Sequence, residues 1–443
     1  MTEADVPVAG RLVQLLRHLG LEQAHVAGAM PGDWRGLAAD HADRVASLSL
    51  VCPTGFDPSA VAGIASRLLV IHGDRGATAD RARAAVARLP EASLVVLPDY
   101  AGLLFADVIV ERGDAVGSSL ITFVERVERK RPTRPVARSP ARGEFAGISY
   151  RVEGGGPPLM LLPLALAPSQ WDPLLARLRE RFCTISVSGP HVGFMPILEG
   201  RAASPGYRRM VRTVVEAAGP RSGERILEVG CGSGAVIRWL AEHTHRGHAF
   251  TGVDINRYLL REAQALVDTA GLHDVITLKE GNGEAIPFEA SRVDVTLSLT
   301  VMEEGDAERM LTELVRVTRP GGRVAVIVRG EDVPAILTVP LRPELHAKAL
   351  RALPTGVVEG GCADASLYRR FHAAGLVDIR KLPQFAVYDD PRAVMPQYYQ
   401  SRVLSALAPE EADEWRAGVA RTEAEGAFVL GVPHHCAVGT KPG

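Results

Sequence analysis

Residues 225–234 read Arg-Ile-Leu-Glu-Val-Gly-Cys-Gly-Ser-Gly and decide the fold of the C-terminal half of the chain. The apolar run predicts a buried strand, the alternating glycines predict a tight turn, and the spacing that follows predicts a helix over residues 235–242. Glycine lets the backbone turn with positive φ and lets a ligand approach the main chain closely. The free N–H groups of the first helical turn would face that ligand. The stretch therefore predicts a ligand site between a strand and a helix.

Two acidic residues narrow the kind of ligand. A dinucleotide-binding loop reads G-x-G-x-x-G and seats a pyrophosphate, whereas this loop reads G-x-G-x-G and has Glu228 two positions before Gly230. A carboxylate there would repel a pyrophosphate and would suit a cationic ligand that carries an amino group and no phosphate. Further along, the apolar run Phe250–Asp254 ends in an acid that could accept hydrogen bonds from both hydroxyls of a ribose.

Four motifs in register point to one family. They are LEVGCGSG at 227–234, VDIN at 253–256, GNGEAIPF at 281–288 and LVRVTRPGGRVAV at 314–326. On these motifs, residues 207–443 resemble a class I S-adenosylmethionine-dependent methyltransferase, of the group that includes quinone-ring and small-molecule methyltransferases. The resemblance implies an α/β fold with a Rossmann-like, seven-stranded sheet over residues 201–443, and S-adenosylmethionine as the cofactor.

The resemblance also assigns the residues that bind the cofactor. The glycine loop would pass under the methionine portion and the ribose, Asp254 would hold the ribose hydroxyls, and Ile255 would lie against the adenine. Many relatives have Asp where this chain has Asn282, so we expect altered recognition of the adenine amino group there. The full predicted set is Glu228, Gly230, Gly232, Gly234, Asp254, Ile255, Asn282, Gly283 and Thr300.

Catalytic residues are less clearly indicated. Methyl transfer from an activated sulfonium depends mainly on alignment, and a base is needed only for an acceptor that arrives protonated. Glu303 and Glu304 follow the fourth strand of the domain and could supply that base; His346 is a further candidate. Either glutamate could instead cap the helix that begins near Asp306.

No metal site is predicted. His243, His245 and His248 fall between the first helix and the second strand, where we expect them to be exposed to solvent. His434 and His435 are consecutive in a predicted strand, so their side chains should face opposite sides.

Acceptor specificity is expected to come from three segments: residues 204–210, 331–366 (with Arg342 and His346) and 389–425 (with Tyr398, Tyr399 and Trp415). Aromatic and apolar helices of this kind could close over a small organic acceptor. The same aromatic residues could equally be ordinary core residues.

The first 200 residues resemble an α/β-hydrolase whose two halves occur in swapped order. Residues 1–128, with HVAGAMPG and RLLVIHGDRG, resemble the second half, and residues 146–200, with ISYRVEGGGPPLMLLPLALAPSQW, resemble the first. Residues 129–145 are rich in basic residues and proline and are predicted to be a solvated linker. One hypothesis is a single permuted sheet, with the strands near Leu161 and Ile185 beside those near Val26 and Ser49. The alternative is two remnants of separate truncated domains, which another chain in a dimer could complete.

The hydrolase-like region is predicted to be catalytically inactive. The family places its nucleophile at the centre of G-x-S-x-G, and Met30 stands there, with a thioether that cannot attack an ester. The slots of the acid and the histidine hold Gly76 and Gly102, and the oxyanion-side His-Gly is replaced by Pro163-Leu164. By this alignment, a working Ser–His–Asp hydrolase is excluded.

Composition limits the partners and the cellular compartment that we expect for this protein. The 443 residues are 47% hydrophobic and 23% charged with a net charge of −2, which gives no attraction to nucleic acid or anionic membrane. No run of about 18 apolar residues is present, and five scattered cysteines are typical of a reduced, cytoplasmic protein. We therefore expect a cytoplasmic methyltransferase that acts on a small molecule, with a homodimer as one possible assembly. The alternative is a non-catalytic protein that binds S-adenosylmethionine.

Overall fold

The computed structural model describes residues 6–53, 57–101, 107–137, 141–165, 167–189, 191–244, 247–353 and 356–443. The chain divides into two compact units, residues 1–197 with 404–406 and residues 198–403 with 407–443. The boundary at 197/198 lies near the domain boundary predicted at 200/201. Within the described ranges no helix is both long and apolar enough to cross a bilayer.

The first unit alternates strands and helices. Its elements are α1 (Val8–His18), β1 (Ala24–Gly28), α2 (Pro31–Asp40), β2 (Val45–Val51), β3 (Leu68–Arg75), α3 (Gly76–Val86), β4 (Ser93–Ala101), α4 (Val108–Lys130), β5 (Val136–Ala137), β6 (Ala141–Phe145), β7 (Ile148–Glu153), β8 (Gly155–Gly156), β9 (Pro158–Leu161), α5 (Asp172–Arg179), β10 (Cys183–Ser188) and α6 (Met195–Ala203), which runs into the second unit. The central strands β1, β2 and β9 are buried along their whole length because helices cover both faces of the sheet.

One sheet contains both hydrolase-like segments. Its strand order, over the part of the chain that is described, is β4-β3-β2-β1-β9-β10-β7-β6. Val26 of β1 lies opposite Leu48 of β2 on one side and Met160 of β9 on the other, and both pairings are parallel. β10 runs parallel to β9 and antiparallel to β7. The strands near Leu161 and Ile185 therefore share a sheet with those near Val26 and Ser49, as the single-sheet hypothesis predicts.

Two hydrophobic layers enclose this sheet. Leu12 of α1 and Trp34 of α2 pack on one face with the end of α3, and Leu120 of α4 and Leu174 of α5 pack on the other. Apolar residues at helical spacing give α1 and α4 the buried stripes that form these layers.

The predicted linker is partly ordered structure. Helix α4 continues to Lys130, and Ala141–Phe145 forms β6, which pairs antiparallel with β7 at the edge of the sheet. The prediction of a solvated linker over 129–145 is therefore wrong for these residues. The side chains of β6 are mostly exposed, so the strand has no apolar alternation that would reveal it in the sequence.

The second unit is a second α/β structure. Its further elements are α7 (Pro205–Ala218), β11 (Arg225–Val229), α8 (Ala235–His243), β12 (Ala249–Asp254), α9 (Arg257–Thr269), β13 (Ile276–Glu280), β14 (Val293–Leu299), α10 (Ala307–Val317), β15 (Thr318–Arg329), β16 (Ile336–Leu337), α11 (Pro343–Ala352), α12 (Ser366–Ala373), β17 (Val377–Lys381), β18 (Gln384–Tyr388), α13 (Val394–Ala406), α14 (Pro409–Ala424) and β19 (Leu430–Thr440). Helices α10 and α12 pack on one face of the sheet through Leu311, Leu314 and Phe371.

Its sheet is larger than the seven strands predicted. Over the described residues it has nine strands, with the order β13-β12-β11-β14-β15-β19-β16, and β17 and β18 also pair with β19. β17 and β18 bond to successive stretches of β19, residues 437–440 and 430–434, so two short strands occupy the place of one long strand. Strands β11 to β15 are mutually parallel and β19 is antiparallel to β15. The loops after β11, β12 and β14 thus meet at one edge, where α/β sheets bind ligands.

Candidate cofactor and acceptor site

The glycine loop after β11 requires glycine. Gly230, Gly232 and Gly234 have φ of 76°, 53° and 70°, the left-handed region that other residues avoid. A Cβ on Gly230 would lie 2.2 Å from Cγ2 of Val301. The N–H groups of Gly230 and Cys231 donate to the Val253 carbonyl at 2.7 and 3.1 Å, which ties the loop to β12.

Asp254 connects the loop to the end of β12. Its side chain accepts the Gly232 N–H on Oδ2 at 2.7 Å and the Asn256 N–H on Oδ1 at 2.8 Å. Burial raises the pKa of this carboxyl, and the two N–H groups act in the opposite direction. Each oxygen can still accept a second hydrogen bond, which is what two ribose hydroxyls require. The next residue, Ile255, is 66% exposed and offers an apolar surface to a flat ring.

Glu228 has a buried carboxyl oxygen that lacks a hydrogen-bond partner in the described part of the chain. It is 3% exposed, and within the described residues its Oε2 has no hydrogen-bond partner. Burial raises the pKa of its carboxyl to about 8; the Arg201 guanidinium opposes this rise and the Asp254 carboxylate adds to it. An unpartnered buried oxygen is costly, and the amino group of a bound S-adenosylmethionine would supply the partner. The residues present therefore fit this cofactor.

The remaining predicted cofactor residues lie on the neighbouring loops. Asn282 is exposed, and its Oδ1 accepts the Glu284 N–H at 2.8 Å, which leaves one lone pair on that oxygen. Gly283 follows it and packs near Val229. Thr300 directly follows β14 and has φ of 60°, an uncommon conformation for a β-branched residue and a form of strain that clusters at functional sites.

The two glutamates after β14 differ in environment. Glu303 is fully buried; its Oε1 accepts the Arg329 N–H at 2.7 Å, and Oε2 has no partner among the described residues. Burial raises the pKa of Glu303 to about 7. Glu304 is exposed and lies 3.4 Å from Nη2 of Arg329. Neither caps α10, because Asp306 accepts the N–H groups of that helix's first turn, so the capping alternative is wrong.

Other candidates lie elsewhere. His346 on α11 contacts the Leu337 carbonyl at 3.2 Å, and Arg342 pairs with Glu411 and Glu414. No group of metal-ligating side chains occurs among the described residues. His248 is buried, with Nδ1 at 3.3 Å from the Glu224 carbonyl, so the prediction of a solvent-exposed side chain is wrong there, and His245 lies outside the described residues.

Sequence reasoning missed two residues near the loop. Arg201 of α6 donates from Nη1 to the Thr300 hydroxyl at 2.9 Å and lies 5.2 Å from the ring centroid of Tyr207. His434 packs edge-on against the same ring, with centroids 6.4 Å apart. His434 lies opposite Arg329, the last residue of β15, so the antiparallel direction of the final strand was the signal that could have placed it at this edge. No local pattern marks Arg201.

In the first unit, the positions to which the hydrolase resemblance assigns catalytic roles hold no catalytic side chain. Met30 follows β1 at the start of α2, is 3% exposed and has a relaxed φ of −80°. Gly76 begins α3, Pro163-Leu164 follows β9, and Gly102 lies outside the described residues.

Comparison with known proteins agrees with this geometry. Residues 226–322 match a family model described as a methyltransferase domain. The chain is 28% identical over 158 residues to methyltransferase GfsG of Streptomyces halstedii, covering 35% of this chain and 50% of that protein. It is 32% identical over 128 residues to the ubiquinone/menaquinone biosynthesis C-methyltransferase UbiE of Allorhizobium ampelinum, covering 28% and 50%. It is 30% identical over 197 residues to nocamycin O-methyltransferase of Saccharothrix syringae, covering 40% and 67%.

The chain thus spans between half and two thirds of the length of these three relatives. It belongs to the S-adenosylmethionine-dependent methyltransferases. S-adenosylmethionine is its cofactor, and the relatives include methyltransferases that are named for oxygen and for carbon methylation.

Proposed function

We propose that the second unit transfers a methyl group from S-adenosylmethionine to a small organic molecule. The observation that carries the proposal is the buried, unpartnered Oε2 of Glu228 beside the glycine loop and Asp254. Glu228 matches the amino group of that cofactor, the glycine loop its methionine portion, and Asp254 its ribose.

The proposal gives each cofactor residue a role. Glu228 binds the amino group, Asp254 the ribose hydroxyls and Ile255 the adenine face; the glycines allow close approach, and Asn282 and Gly283 border the adenine edge. Thr300 holds Arg201 at the same edge through its hydroxyl. The bound cofactor supplies an electrophilic methyl group, so the protein's main task is to align the acceptor and exclude water.

The test is calorimetry of S-adenosylmethionine binding to Asp254→Ala. Loss of charge-assisted hydrogen bonds should weaken binding by about 1–3 kcal/mol. Asp274→Ala is the matched control, because Asp274 is exposed after α9, and it should bind as the wild type does. Equal affinity in both variants would contradict the ribose role of Asp254.

We further propose that the first unit is a permuted hydrolase-like fold without hydrolase activity. The strand order supports it: six parallel strands are followed by an antiparallel pair, β7 and β6, at one edge, and the two segments with swapped hydrolase resemblance interleave as β1 beside β9. The methionine at the nucleophile slot and the glycine at the acid slot support inactivity.

Restoring the nucleophile tests this part of the proposal. Met30→Ser should show no esterase activity above background with 4-nitrophenyl acetate, because the positions of the acid and the histidine hold Gly76 and Gly102. Hydrolysis by Met30→Ser that disappears in Met30→Ala would show that a base is present and would overturn the proposal.

A further inference from the structure

A cationic side chain without a counter-ion lies beside the cofactor loop. Arg201 has five N–H donors, and the described residues provide one hydrogen bond for them, to the Thr300 hydroxyl. Its other neighbours are the aromatic rings and hydroxyls of Tyr207, Tyr388 and Tyr399. No carboxylate of the described residues lies within ion-pair distance of it, although Glu228 and Glu303 act on it from farther away. A largely buried guanidinium without a paired anion is costly, which indicates a ligand that supplies the anion.

A second unsatisfied group lies next to this cation. Tyr207 is 1% exposed, and its hydroxyl lies near that of Thr300 but within the described residues makes no hydrogen bond of good geometry. The same ring contacts both the Arg201 guanidinium and the His434 imidazole. The Tyr207 ring thus brings Arg201 and His434 together next to Thr300, at the carboxyl edge of the sheet.

The hydrogen bonding of His434 defines its tautomer. Nδ1 lies 3.0 Å from the Val432 carbonyl, and a carbonyl only accepts, so Nδ1 carries the proton. The lone pair is therefore on Nε2. Burial is the main cause that lowers the pKa of this imidazole to about 3; Arg201, Arg329 and His435 act in the same direction and the hydrogen bond to Val432 opposes them, so the ring is neutral at physiological pH. A neutral imidazole with a free lone pair accepts a hydrogen bond, and with so low a pKa it does not take a proton.

We propose, on the basis of the methyl-transfer function proposed above, that Arg201, Tyr207 and His434 form the acceptor site, and that the acceptor is an organic molecule with an acidic hydroxyl, a phenol or an enol, which is methylated on oxygen. Arg201 and the Tyr207 hydroxyl hold the acceptor oxygen as its negative charge develops. An alkyl amine acceptor would arrive as a cation and would be repelled by Arg201.

The transfer balances with these groups alone. The acceptor's hydroxyl proton is lost to solvent, because the guanidinium of Arg201 favours the ionised acceptor. The acceptor oxygen forms a bond to the methyl carbon, and the carbon–sulfur bond breaks with its electron pair remaining on sulfur. The products are a methyl ether and S-adenosylhomocysteine.

The first experiment measures anion binding without turnover. Protein saturated with S-adenosylhomocysteine is titrated with 4-nitrophenol at mildly acidic pH, where absorbance distinguishes bound phenolate from bound phenol. We expect the wild type to bind the phenolate and Arg201→Gln to bind it about 10- to 100-fold more weakly, because a charge-assisted hydrogen bond is lost. Arg209→Gln, an exposed position of α7, is the matched control and should behave as the wild type.

The outcomes separate the two proposals. If S-adenosylhomocysteine does not bind the wild type, the proposed function fails. If it binds, but 4-nitrophenol does not bind, binds as the neutral phenol or binds equally to Arg201→Gln, the acceptor inference alone is overturned.

The second experiment measures turnover with methyl-labelled cofactor and a panel of phenols and enols, each paired with a primary alkyl amine of similar size. We expect methyl ethers from the hydroxyl compounds. Arg201→Gln should lose about 100-fold in rate at neutral pH and recover in part as pH rises, because the acceptor then ionises in solution. Arg209→Gln should keep the wild-type pH profile. Label found only in amines, or an Arg201→Gln profile equal to that of the wild type, would overturn the proposal.

Discussion

Four buried ionisable groups, two in each unit, differ in whether their polar atoms have hydrogen-bond partners. In the first unit, both oxygens of the buried Asp33 accept the Gly193 N–H, at 3.0 and 2.9 Å, and the buried His25 bonds to Ser47 and Glu128, each at 2.7 Å. In the second unit, Glu228 and Glu303 each keep one buried oxygen without a partner among the described residues. A buried group whose polar atoms all have a partner stabilises a fold, whereas an atom without one is available to a ligand.

Backbone conformation also differs between the two strand-to-helix turns. Met30, where the hydrolase resemblance would place a strained nucleophile turn, has φ of −80°, whereas the turn after β11 has left-handed conformations at Gly230, Gly232 and Gly234. The comparison teaches that a turn which lets a ligand approach the backbone closely needs glycine, whereas a relaxed turn accepts a residue such as Met30.

The largest effect is expected from Gly230→Ala. The added Cβ would meet Val301 at 2.2 Å in a left-handed conformation, so we expect a loss of about 3 kcal/mol in the free energy of unfolding and loss of S-adenosylmethionine binding. Gly271→Ala also has positive φ but meets nothing within 4 Å, and it should cost about 1 kcal/mol and leave binding intact. Chemical denaturation and calorimetry measure both quantities. Similar costs in the two variants would remove the evidence that the loop is shaped by close packing.

A somewhat smaller effect is expected from His25→Leu in the first unit. Ser47 and Glu128 would lose their shared partner, at a cost of about 2–3 kcal/mol in stability, with no change in cofactor binding. His41→Leu, at the C-terminus of α2, should stay within about 0.5 kcal/mol of the wild type. A binding defect in His25→Leu, with stability intact, would contradict a purely structural role.

The same histidine should make stability depend on pH. Burial lowers the pKa of His25 from 6.5 in the folded state, so below that value the unfolded state binds the proton more readily. Its stabilising contribution is therefore present above about pH 6.5 and is lost as pH falls further. Thermal melts between pH 5 and 8, roughly the range around the histidine value, should show a weaker dependence in His25→Leu.

The smallest expected effect is on the number of protons released when the cofactor binds, not on the free energy of unfolding. Because the pKa of Glu228 is raised to about 8, its carboxyl is largely protonated at neutral pH and must ionise to bind a cationic amino group. Binding of S-adenosylmethionine at pH 7 should therefore release up to about one proton, and Glu228→Gln should release none. Calorimetry in buffers of different ionisation enthalpy measures this number. Equal release in both proteins would show that Glu228 does not face the amino group.

The sequence predicted the parts of the site that lie within a few residues of a strand end. The glycines at 230–234 and the acid at the end of β12 follow strands directly, so their positions depend on one turn each. Arg201 and His434 come from the two ends of the second unit and meet at Tyr207 through tertiary packing, which no short pattern encodes. The strand β6 and the burial of His248 were missed for a related reason: an exposed edge strand and a polar residue in the core both run against the hydrophobic pattern.

The parallel pairing of β1 with β9 has a consequence for how the chain acquires its structure. β9 begins at Pro158, roughly 130 residues after β1 ends, so at a synthesis rate of about 5–20 residues per second β1 waits on the order of ten seconds for its second neighbour. During that interval an apolar strand has an open edge, which is a template for aggregation. This order of strands thus leaves the centre of the finished sheet as its most vulnerable part while the chain is being made.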